Sequence, residues 1–287
     1  MRLLIASDLH HNHHRSQPLA NELIDQVNAT GGDVLILVGD SAVTADWALE
    51  KCLERFTFKG TKLFVPGNHE LWTRGSDSYE LFTHILPQSV AALGWQWLPT
   101  KPFVADEVAV VGSVGWYDYS FAEPRLEIPK RFYEAKVSPG AAERFEEYDY
   151  LFKENDDISK KARSVVARWN DGKFVSLHRS DEEFLDELLA LLRQQLDALK
   201  DHPHVIAAIH QLPFRELLPP PHTAQWDFAK AYLGSERIGK LLLEYPNVKQ
   251  VFCGHSHFPA EAQVGHIQAK NTGCSYKRKR LNILDVP

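Results

Sequence analysis

Short apolar runs recur along the chain, and each of them stops abruptly at polar residues. Five of these runs are rich in β-branched residues and predict buried strands: RLLIASDLH, DVLILVGD, KLFVPGNHE, HVIAAIHQ and VKQVFCGHSH. Helical patterns lie between the first three. Residues 18–29 place Leu19, Leu23 and Val27 on one face, and residues 46–56 show a similar pattern. The alternation of strand and helix predicts a layered α/β fold whose helices pack on a largely buried sheet.

The middle of the chain breaks this alternation. Residues 116–179 carry prolines, many aromatic residues and the acidic run ERFEEYDYLFKENDD, and the segment is too long for an ordinary loop. A helix then begins at Ser180, where Glu183 completes a capping box and leucines follow at helical spacing. We therefore predict one domain over residues 1–287, with residues 116–179 as an insertion that could form a cap.

The composition restricts the classes of function. A chain of 287 residues with 44% apolar and 24% charged content is typical of a soluble globular protein, and no apolar run approaches the length of a membrane span. Three cysteines without CxxC spacing favour a reducing compartment, so we expect a cytoplasmic location. The net charge of −6 argues against broad binding of nucleic acid but allows a small phosphate ester bound at a metal.

Polar motifs stand where these predicted strands end. They are DLH with Asp8 and His10, GD with Asp40, GNHE with Asn68, His69 and Glu70, IHQLP with His210, and GHSH with His255 and His257. Because open α/β sheets bind ligands beyond the carboxyl ends of their strands, these distant motifs can converge. Residues two apart in an extended strand point the same way, so both members of each pair, Asp8 with His10 and His255 with His257, can reach one site if the strand continues.

The ordered set of motifs, spanning residues 8–257, resembles the calcineurin-like metallophosphoesterase family. This resemblance implies a four-layer αββα sandwich that carries two metal ions. On the family pattern the first metal would be held by Asp8, His10, Asp40 and His257, and the second by Asp40, Asn68, His210 and His255. The resemblance also implies that His69, which is not itself a ligand, is the general acid for the leaving group.

The residue types suit this division of ligands. Two metal cations that lie close together repel each other, so a shared carboxylate such as Asp40 is the natural group between them. Mixed nitrogen and oxygen ligands favour transition metals over Ca²⁺ or Mg²⁺, and we expect Mn, with Fe, Zn, Ni or Co as alternatives. A water that bridges both metals would be acidified and become the nucleophile. Glu70 would orient His69 only if the geometry allows.

Several neighbouring residues are expected to stay outside the metal site. His11, His13 and His14 follow the ligand pair on a predicted loop, and a compositional tract is weak evidence for ligation. Cys253 lies inside a strand pattern and is expected to be a small buried residue. The basic run KRKR at 277–280 is expected to be a solvated strand end.

Groups around the rim must select the substrate, since the metals treat all phosphate esters alike. Arg74 and Arg215 follow two of the motifs and are the candidate cations for the substrate phosphate, although each also suits an ordinary surface position. Six aromatic residues of the insertion fit a core role or a substrate contact equally well: Trp116, Tyr117, Tyr119, Phe121, Phe132 and Tyr133. The expected substrate is a small phosphate mono- or diester or a nucleotide.

Departures from the family pattern argue against two subfamilies. Protein Ser/Thr phosphatases carry GDxVDRG where this chain has GDSAVTAD, and purple acid phosphatases place a tyrosine ligand where this chain has Val43. A nuclease of the same superfamily stays an alternative, although the acidic insertion offers no accessory for nucleic acid. The alternative from another class is a non-catalytic interaction protein that keeps the fold. The complete set of ligand positions favours an enzyme.

Overall fold

The computed structural model describes residues 1–73, 75–154 and 156–286. Its strands are β1 (Arg2–Ala6), β2 (Val34–Val38), β3 (Thr61–Val65), β4 (Gln96–Trp97), β5 (Phe103–Ala105), β6 (Val108–Ser113), β7 (His204–Ile209), β8 (Val248–Cys253), β9 (Glu261–Val264), β10 (Ile267–Asn271) and β11 (Asn282–Asp285). The five strands predicted from the apolar runs are present as β1, β2, β3, β7 and β8.

The helices are mostly short and fall between the strands. The α-helices are α1 (Gln17–Thr30), α2 (Ala48–Leu53), α3 (Ser78–Glu80), α4 (Leu86–Ala92), α5 (Lys130–Glu134), α6 (Pro139–Ala142), α7 (Lys160–Ser164), α8 (Asp171–Phe174), α9 (Asp181–Ala198), α10 (Ala224–Ala229) and α11 (Glu236–Leu243). A π-helical stretch, Leu81–Ile85, joins α3 to α4, and 3₁₀ helix covers Ala45–Trp47, His69–Leu71, Pro124–Leu126, Glu146–Phe152, Arg215–Leu217 and Lys230–Tyr232. Among the residues that the structure describes, no helix is both long enough and apolar enough to cross a membrane.

The strands form two mixed sheets with parallel centres. One sheet has the order β11-β1-β2-β3-β4, in which β11 is antiparallel to β1 and the other neighbours are parallel. The other sheet has the order β5-β6-β7-β8-β10-β9, with antiparallel pairs at its two edges. Because the central strands of each sheet are parallel, their carboxyl ends lie along one edge, where the predicted ligands follow.

Alternate residues of each strand face different cores. Ile5 of β1 packs with Ile206 of β7 between the two sheets. Leu4 points to the opposite face and belongs to an outer core that also contains Val27 of α1 and Leu196 of α9. The layers therefore run helix, sheet, sheet, helix, which is the αββα sandwich predicted from the sequence.

One predicted helix begins where the sequence predicts, and another is shorter than predicted. The capping box at Ser180 is present, because the Ser180 hydroxyl accepts from the Glu183 amide and the Glu183 carboxylate accepts from the Ser180 amide. The helix predicted over 46–56 is shorter than expected. Asp46 and Trp47 have left-handed backbone angles, with φ of 59° and 58°, so regular helix begins only after them.

Residues 116–179, predicted to be an insertion, contain short helices whose side chains pack in two different cores. Phe132 and Leu151 belong to a small core within the insertion itself. Tyr133 and Val165 instead pack in the outer core of the main fold. The six aromatic residues named from the sequence are all buried, which favours their core role over substrate contact: Trp116, Tyr117, Tyr119, Phe121, Phe132 and Tyr133. The insertion is therefore anchored to the scaffold through its own apolar side chains.

Candidate metal centre

The predicted ligands meet at the carboxyl ends of the central strands. Each lies just beyond its strand: Asp8 and His10 after β1, Asp40 after β2, Asn68 after β3, His210 after β7, and His255 and His257 after β8. The first three strands belong to one sheet and the last two to the other. The site therefore spans both sheets at the edge of the sandwich.

Left-handed turns, rather than continued strands, bring the paired ligands together. The strand argument for Asp8 with His10 and for His255 with His257 is wrong, because β1 ends at Ala6 and β8 at Cys253. The backbone φ angles of these four residues are 51°, 41°, 65° and 56°, in the left-handed region that residues other than glycine rarely adopt. Backbone bonds hold two of them: the amides of Asp8 and His10 donate to carbonyls of the GD loop at 2.9 and 2.8 Å. Strained backbone of this kind is typical of functional sites.

Four of the residues form one compact cluster. Asp8, His10, Asp40 and His257 each offer an atom, and these atoms all lie within 4.8 Å of one another. Nε2 of His10 is 3.0 Å from Nε2 of His257 and 3.7 Å from Oδ2 of Asp40. Ligand atoms on one metal ion lie about this far apart, since metal–nitrogen distances are about 2 Å. The first group of predicted ligands is therefore arranged to share a cation.

A second cluster contains Asp40, His210 and His255, again with atoms within 4.8 Å. Nδ1 of His210 faces the carbonyl of Val38 at 2.9 Å, which turns Nε2 toward Oδ1 of Asp40 at 3.4 Å. Neither Nε2 of His210 nor Oδ1 of Asn68 has a hydrogen-bond partner among residues 1–73, 75–154 and 156–286, although both atoms are buried. Such an atom costs about 1–3 kcal/mol unless it is satisfied. These free atoms fit a second metal ion, and Asp40 belongs to both clusters.

Asp8 and Asp40, the two predicted ligands that are carboxylates, are both buried. Burial favours the neutral acid, yet the hydrogen bond and the charge of His257 lower the pKa of Asp8 to about 2. Against the same effect of burial, the charges of His69 and His210 hold the pKa of Asp40 well below its usual range. In the described part of the chain, only imidazoles lie within ion-pair distance of these carboxylates. A bound cation would compensate their charge.

Two of the buried imidazoles favour their neutral form. Burial lowers the pKa of His10 well below its ordinary value. Burial and the neighbouring charge of His210 lower the pKa of His255 to about 3. A neutral ring has a free nitrogen lone pair, and this is the form of histidine that binds metal. His10 and His255 are therefore in the form that binds a metal, whereas at His210 the charge and hydrogen bond of Asp40 outweigh burial and raise the pKa to about 9.

Glu70 bonds to the backbone of the site loops and not to the ring of His69. Its carboxylate accepts from the backbone amides of Asp40 at 2.9 Å, Ser41 at 2.6 Å and Gly67 at 2.7 Å. Gly67 itself must stay small, because a Cβ there would come within 2.1 Å of Oδ1 of Asp40. Burial, with the charge of Asp40, raises the pKa of Glu70 to about 7. The conditional expectation that Glu70 orients His69 is not met by this geometry.

His69 lies at the rim of the cluster. Its Nε2 is 3.9 Å from Oδ2 of Asp40, and 16% of its side chain is exposed. Its ring stacks on Trp72, with 3.7 Å between the ring centroids. Burial lowers the pKa of His69 below its ordinary value, although the charges of Asp40 and Asp171 oppose this shift. The ring thus faces the site from beside the predicted ligands.

A cavity of about 450 Å³ opens over the clusters. We call its polar side the floor, which consists of Asp40, Asn68, His69, His255 and His257. We call its aromatic side the wall, which consists of Trp72, Trp169, Trp226 and Tyr276. Residues 166–170 of the insertion also line the cavity. Four of the seven predicted metal ligands therefore line a cavity of small-molecule size: Asp40, Asn68, His255 and His257.

The structure describes one of the two arginines predicted to bind the substrate phosphate. Arg215 pairs with Glu236 at 2.6 Å, donates to the carbonyl of Ser120, and is not among the residues that line the cavity. Arg74 lies outside the described residues. Arg168, which the sequence did not single out, does line the cavity, but its guanidinium pairs with Glu147 at 2.9 Å.

The other histidines of the opening tract lie apart from both clusters. Nε2 of His11 contacts the side-chain oxygen of Asn21 at 2.8 Å. The rings of His13 and His14 stack on each other at 4.8 Å. Within the residues that the structure places, none of the three joins a group of potential ligands. This arrangement agrees with the expectation that only His10 of the tract belongs to the site.

Sequence reasoning missed three residues around the site. Asp171 bonds to Asn68. Tyr276 stacks on His10 at 4.3 Å. Lys279 is half-buried and donates to the backbone carbonyl of Asp8 at 2.5 Å, so the expectation of a fully solvated KRKR run is wrong at this position. A basic run resembles a surface patch. Nothing in the local pattern marks Asp171, because three of its four partners, Asn68, Trp72 and Tyr117, come from distant segments.

The chain resembles known proteins in both sequence and structure. The sequence profile described as calcineurin-like phosphoesterase matches residues 1–259. A stretch of 79 residues is 38% identical to the acyl-carrier-protein phosphodiesterase PptH of Mycobacterium tuberculosis, and covers 26% of this chain and 22% of that protein. The crystal structure of the phosphopantetheinyl hydrolase PptH from Mycobacterium tuberculosis has a similar fold, with a TM-score of 0.66 and 21% identity over 96% of this chain and 89% of that chain.

Proposed function

The chain belongs to the calcineurin-like phosphoesterase family, and from that premise we propose that it is a metal-dependent hydrolase of small phosphate mono- or diesters. One observation carries the proposal: two clusters of potential ligands share Asp40 at the floor of an open cavity. A shared carboxylate between two ligand groups is the arrangement that a dinuclear centre requires.

Seven residues would hold the two metal ions. The first ion would take Asp8, His10, Asp40 and His257, and the second Asp40, Asn68, His210 and His255. The bound ions would acidify water for attack on phosphorus and neutralise charge on the phosphoryl oxygens. The mixture of imidazole, carboxylate and amide donors supports Mn, with Fe, Zn, Ni or Co as alternatives.

His69 would supply the proton that the leaving oxygen requires. Its ring lines the cavity and lies beside the first cluster without completing it. The stacked Trp72 limits how far the ring can turn, so an N–H of the ring can stay directed at a bound ester. His69 would therefore act as the general acid of the reaction.

The cavity supports a small organic substrate. Its flat indole faces, from Trp169 and Trp226, offer contact to the organic part of an ester, while the floor receives the phosphate. The insertion contributes residues 166–170 to this enclosure, so we propose that residues 116–179 act as a cap. A nucleotide or another small organic phosphate fits this arrangement better than a long polymer.

A second candidate substrate is a phosphodiester on a carrier protein. The named relative is an acyl-carrier-protein phosphodiesterase, and the similar structure is a phosphopantetheinyl hydrolase. In this chain Trp226 lines the cavity and is 63% exposed, so it could contact a protein that presents a phosphopantetheinyl arm. The matched stretch is 22% of the relative's length.

The test combines metal analysis with a panel of substrates. Purified protein is expected to hold two metal ions per chain and to hydrolyse nitrophenyl phosphate or bis-nitrophenyl phosphate. Nucleotides and acyl carrier protein loaded with phosphopantetheine then distinguish the two candidate substrates. Equal hydrolysis by an Asp40→Ala preparation would reveal a contaminant. Metal binding without any hydrolysis would support the interaction protein, and preference for long nucleic acid would support the nuclease.

The proposed location is the cytoplasm. Cys52, Cys253 and Cys274 are buried and free of disulfide bonds. Free thiols are typical of a reducing compartment. Cell fractionation that finds the protein outside the cytoplasm would contradict this proposal.

A further inference from the structure

Asp171, on α8 of the insertion, is a fully buried carboxylate that accepts four hydrogen bonds. Nδ2 of Asn68 donates to its Oδ1 at 2.9 Å, and Nε1 of Trp72 donates to the same oxygen at 2.7 Å. Nε1 of Trp169 and the hydroxyl of Tyr117 donate to Oδ2 at 2.7 and 3.1 Å. All four of these donors are neutral groups: one amide, two indoles and one phenol.

These bonds determine which end of the Asn68 amide faces the metal centre. An ionised carboxylate only accepts hydrogen bonds, so Asp171 selects the orientation in which the NH₂ group points to it. The amide oxygen is then directed away from Asp171, and it is the buried atom left without a protein partner. The opposite orientation would place two oxygens 2.9 Å apart with no proton between them. The oxygen is also the amide atom that binds a metal ion.

The same carboxylate positions two residues of the cavity wall. Trp72 stacks on His69, and Trp169 packs edge-on against His255 with 5.9 Å between ring centroids. Both indoles line the cavity, and both direct their N–H groups to Asp171. A substitution of Asp171 would therefore affect one predicted metal ligand, Asn68, and two residues of the wall, Trp72 and Trp169.

We propose that Asp171 is a positioning residue that couples the insertion to the second metal site through Asn68. The proposal rests on the proposed dinuclear function, since it assigns Asn68 to a metal. Partners of this kind, which hold a ligand without touching the metal, contribute about 10- to 100-fold to metal affinity. A role confined to folding would change stability without changing the affinity for metal.

The chain offers a matched control in Asp181, another buried carboxylate bonded to aromatic side chains. It accepts from Nε1 of Trp116 at 2.8 Å, from the hydroxyl of Tyr119 at 2.5 Å and from Nζ of Lys136 at 2.5 Å. None of these three partners lines the cavity or belongs to a ligand cluster. Replacing Asp181 therefore measures the cost of losing such a carboxylate away from the metals.

The experiment compares Asp171→Asn with Asp181→Asn in the full chain by titration with Mn²⁺ and by thermal unfolding. Both variants are expected to unfold at lower temperature than the wild type. Asp171→Asn is expected to bind the second Mn²⁺ about 10- to 100-fold more weakly and to retain the first. Asp181→Asn is expected to keep both affinities. Equal weakening in the two variants, or wild-type affinity in Asp171→Asn, overturns the coupling.

A reciprocal exchange keeps the test decisive if Asp171→Asn alone does not fold. The double variant Asn68→Asp with Asp171→Asn restores one donor and one acceptor between the two positions. It is expected to bind the second Mn²⁺ more tightly than Asn68→Asp alone, which places two carboxylates face to face. No recovery in the double variant contradicts the coupling. A wild-type chain that binds fewer than two Mn²⁺ refutes the proposed function itself, whereas two tight ions in every Asp171 variant refute only the role of Asp171.

Discussion

The floor and the wall of the cavity are built in different ways. The floor comes from short loops at the ends of parallel strands, and its side chains converge because the strands do. The wall comes from the loop after β3, the insertion, α10 and the C-terminal segment, and hydrogen bonds from Trp72 and Trp169 to Asp171 hold part of it. Under the proposed function, the floor would supply the groups for chemistry, and the segments of the wall would shape the space for the substrate. Changes in the floor should alter metal content and rate, whereas changes in the wall should alter the choice of substrate.

The largest effect is expected from Asp40→Ala in the floor. Asp40 is the residue common to both ligand clusters, so its loss should release both metals and reduce hydrolysis to background. Metal analysis and an ester assay on the same preparation measure the two effects. A variant that still holds two ions per chain would contradict the bridging role.

The second-largest effect is expected from a change at His69 in the floor, which should impair proton transfer without releasing the metals. His69→Ala should keep both metals but lower turnover by about 10²- to 10⁴-fold, the usual contribution of a general acid. The loss should be smaller for esters with acidic leaving groups such as nitrophenol, which need little protonation. Steady-state kinetics over a series of leaving groups measures this trend. A loss that is equal for all leaving groups would indicate positioning instead.

The third effect belongs to the wall. Trp226→Ala should raise KM for esters with a large organic group by roughly 2- to 13-fold, since an aromatic contact contributes about 0.5–1.5 kcal/mol. Metal content and the hydrolysis of nitrophenyl phosphate should stay near wild type. The control is Trp47→Ala, which removes another exposed indole, 71% exposed and outside the cavity. If Trp226→Ala leaves the substrate profile unchanged, the wall does not select the substrate.

Point substitutions test the wall better than removal of the insertion. Tyr133 and Val165 of the insertion pack in the outer core of the main fold, so a deletion would expose that core. It would also remove Asp171, which bonds to Asn68. The effects of a deletion on metal, stability and substrate could not be separated.

The smallest effect is expected just beyond the floor. Replacing His11, His13 and His14 together with Gln should leave metal content near wild type, because none of them joins a ligand cluster in the part of the chain that the structure covers. His10→Ala should deplete the metal. Metal analysis of both variants provides the comparison, and a triple variant that loses metal would show that the tract takes part in binding.

Regular elements made much of this molecule predictable. The apolar runs located β1, β2, β3, β7 and β8, and the capping box located the start of α9, because strand and helix periodicity are local properties of the chain. The helix predicted over 46–56 was too long. Its first residues take left-handed angles that no pattern of apolar positions indicates.

The site was predictable only as a set of residues. The motifs identified which residues follow the strands, and the parallel sheets bring Asp8, Asp40 and His210 together as expected. The pairs Asp8/His10 and His255/His257 were expected to reach one site if their strands continued, but the strands end earlier and left-handed turns orient both pairs. Lys279 was expected in solvent, yet it bonds to the loop of Asp8, because a run of charges does not reveal which member is covered by the fold.

By itself, the sequence determined the α/β class, the order of the strands along the chain and the residue types available for a metal, because each depends on neighbours in the chain. Only the tertiary structure decided that Glu70 supports the Asp40 loop and that Asp171 bonds to Asn68, Trp72 and Trp169. Asp171 lies 103 residues from Asn68 along the chain. A hydrogen bond depends on distance and direction in space, and at such separations these are set by the packing of the whole fold.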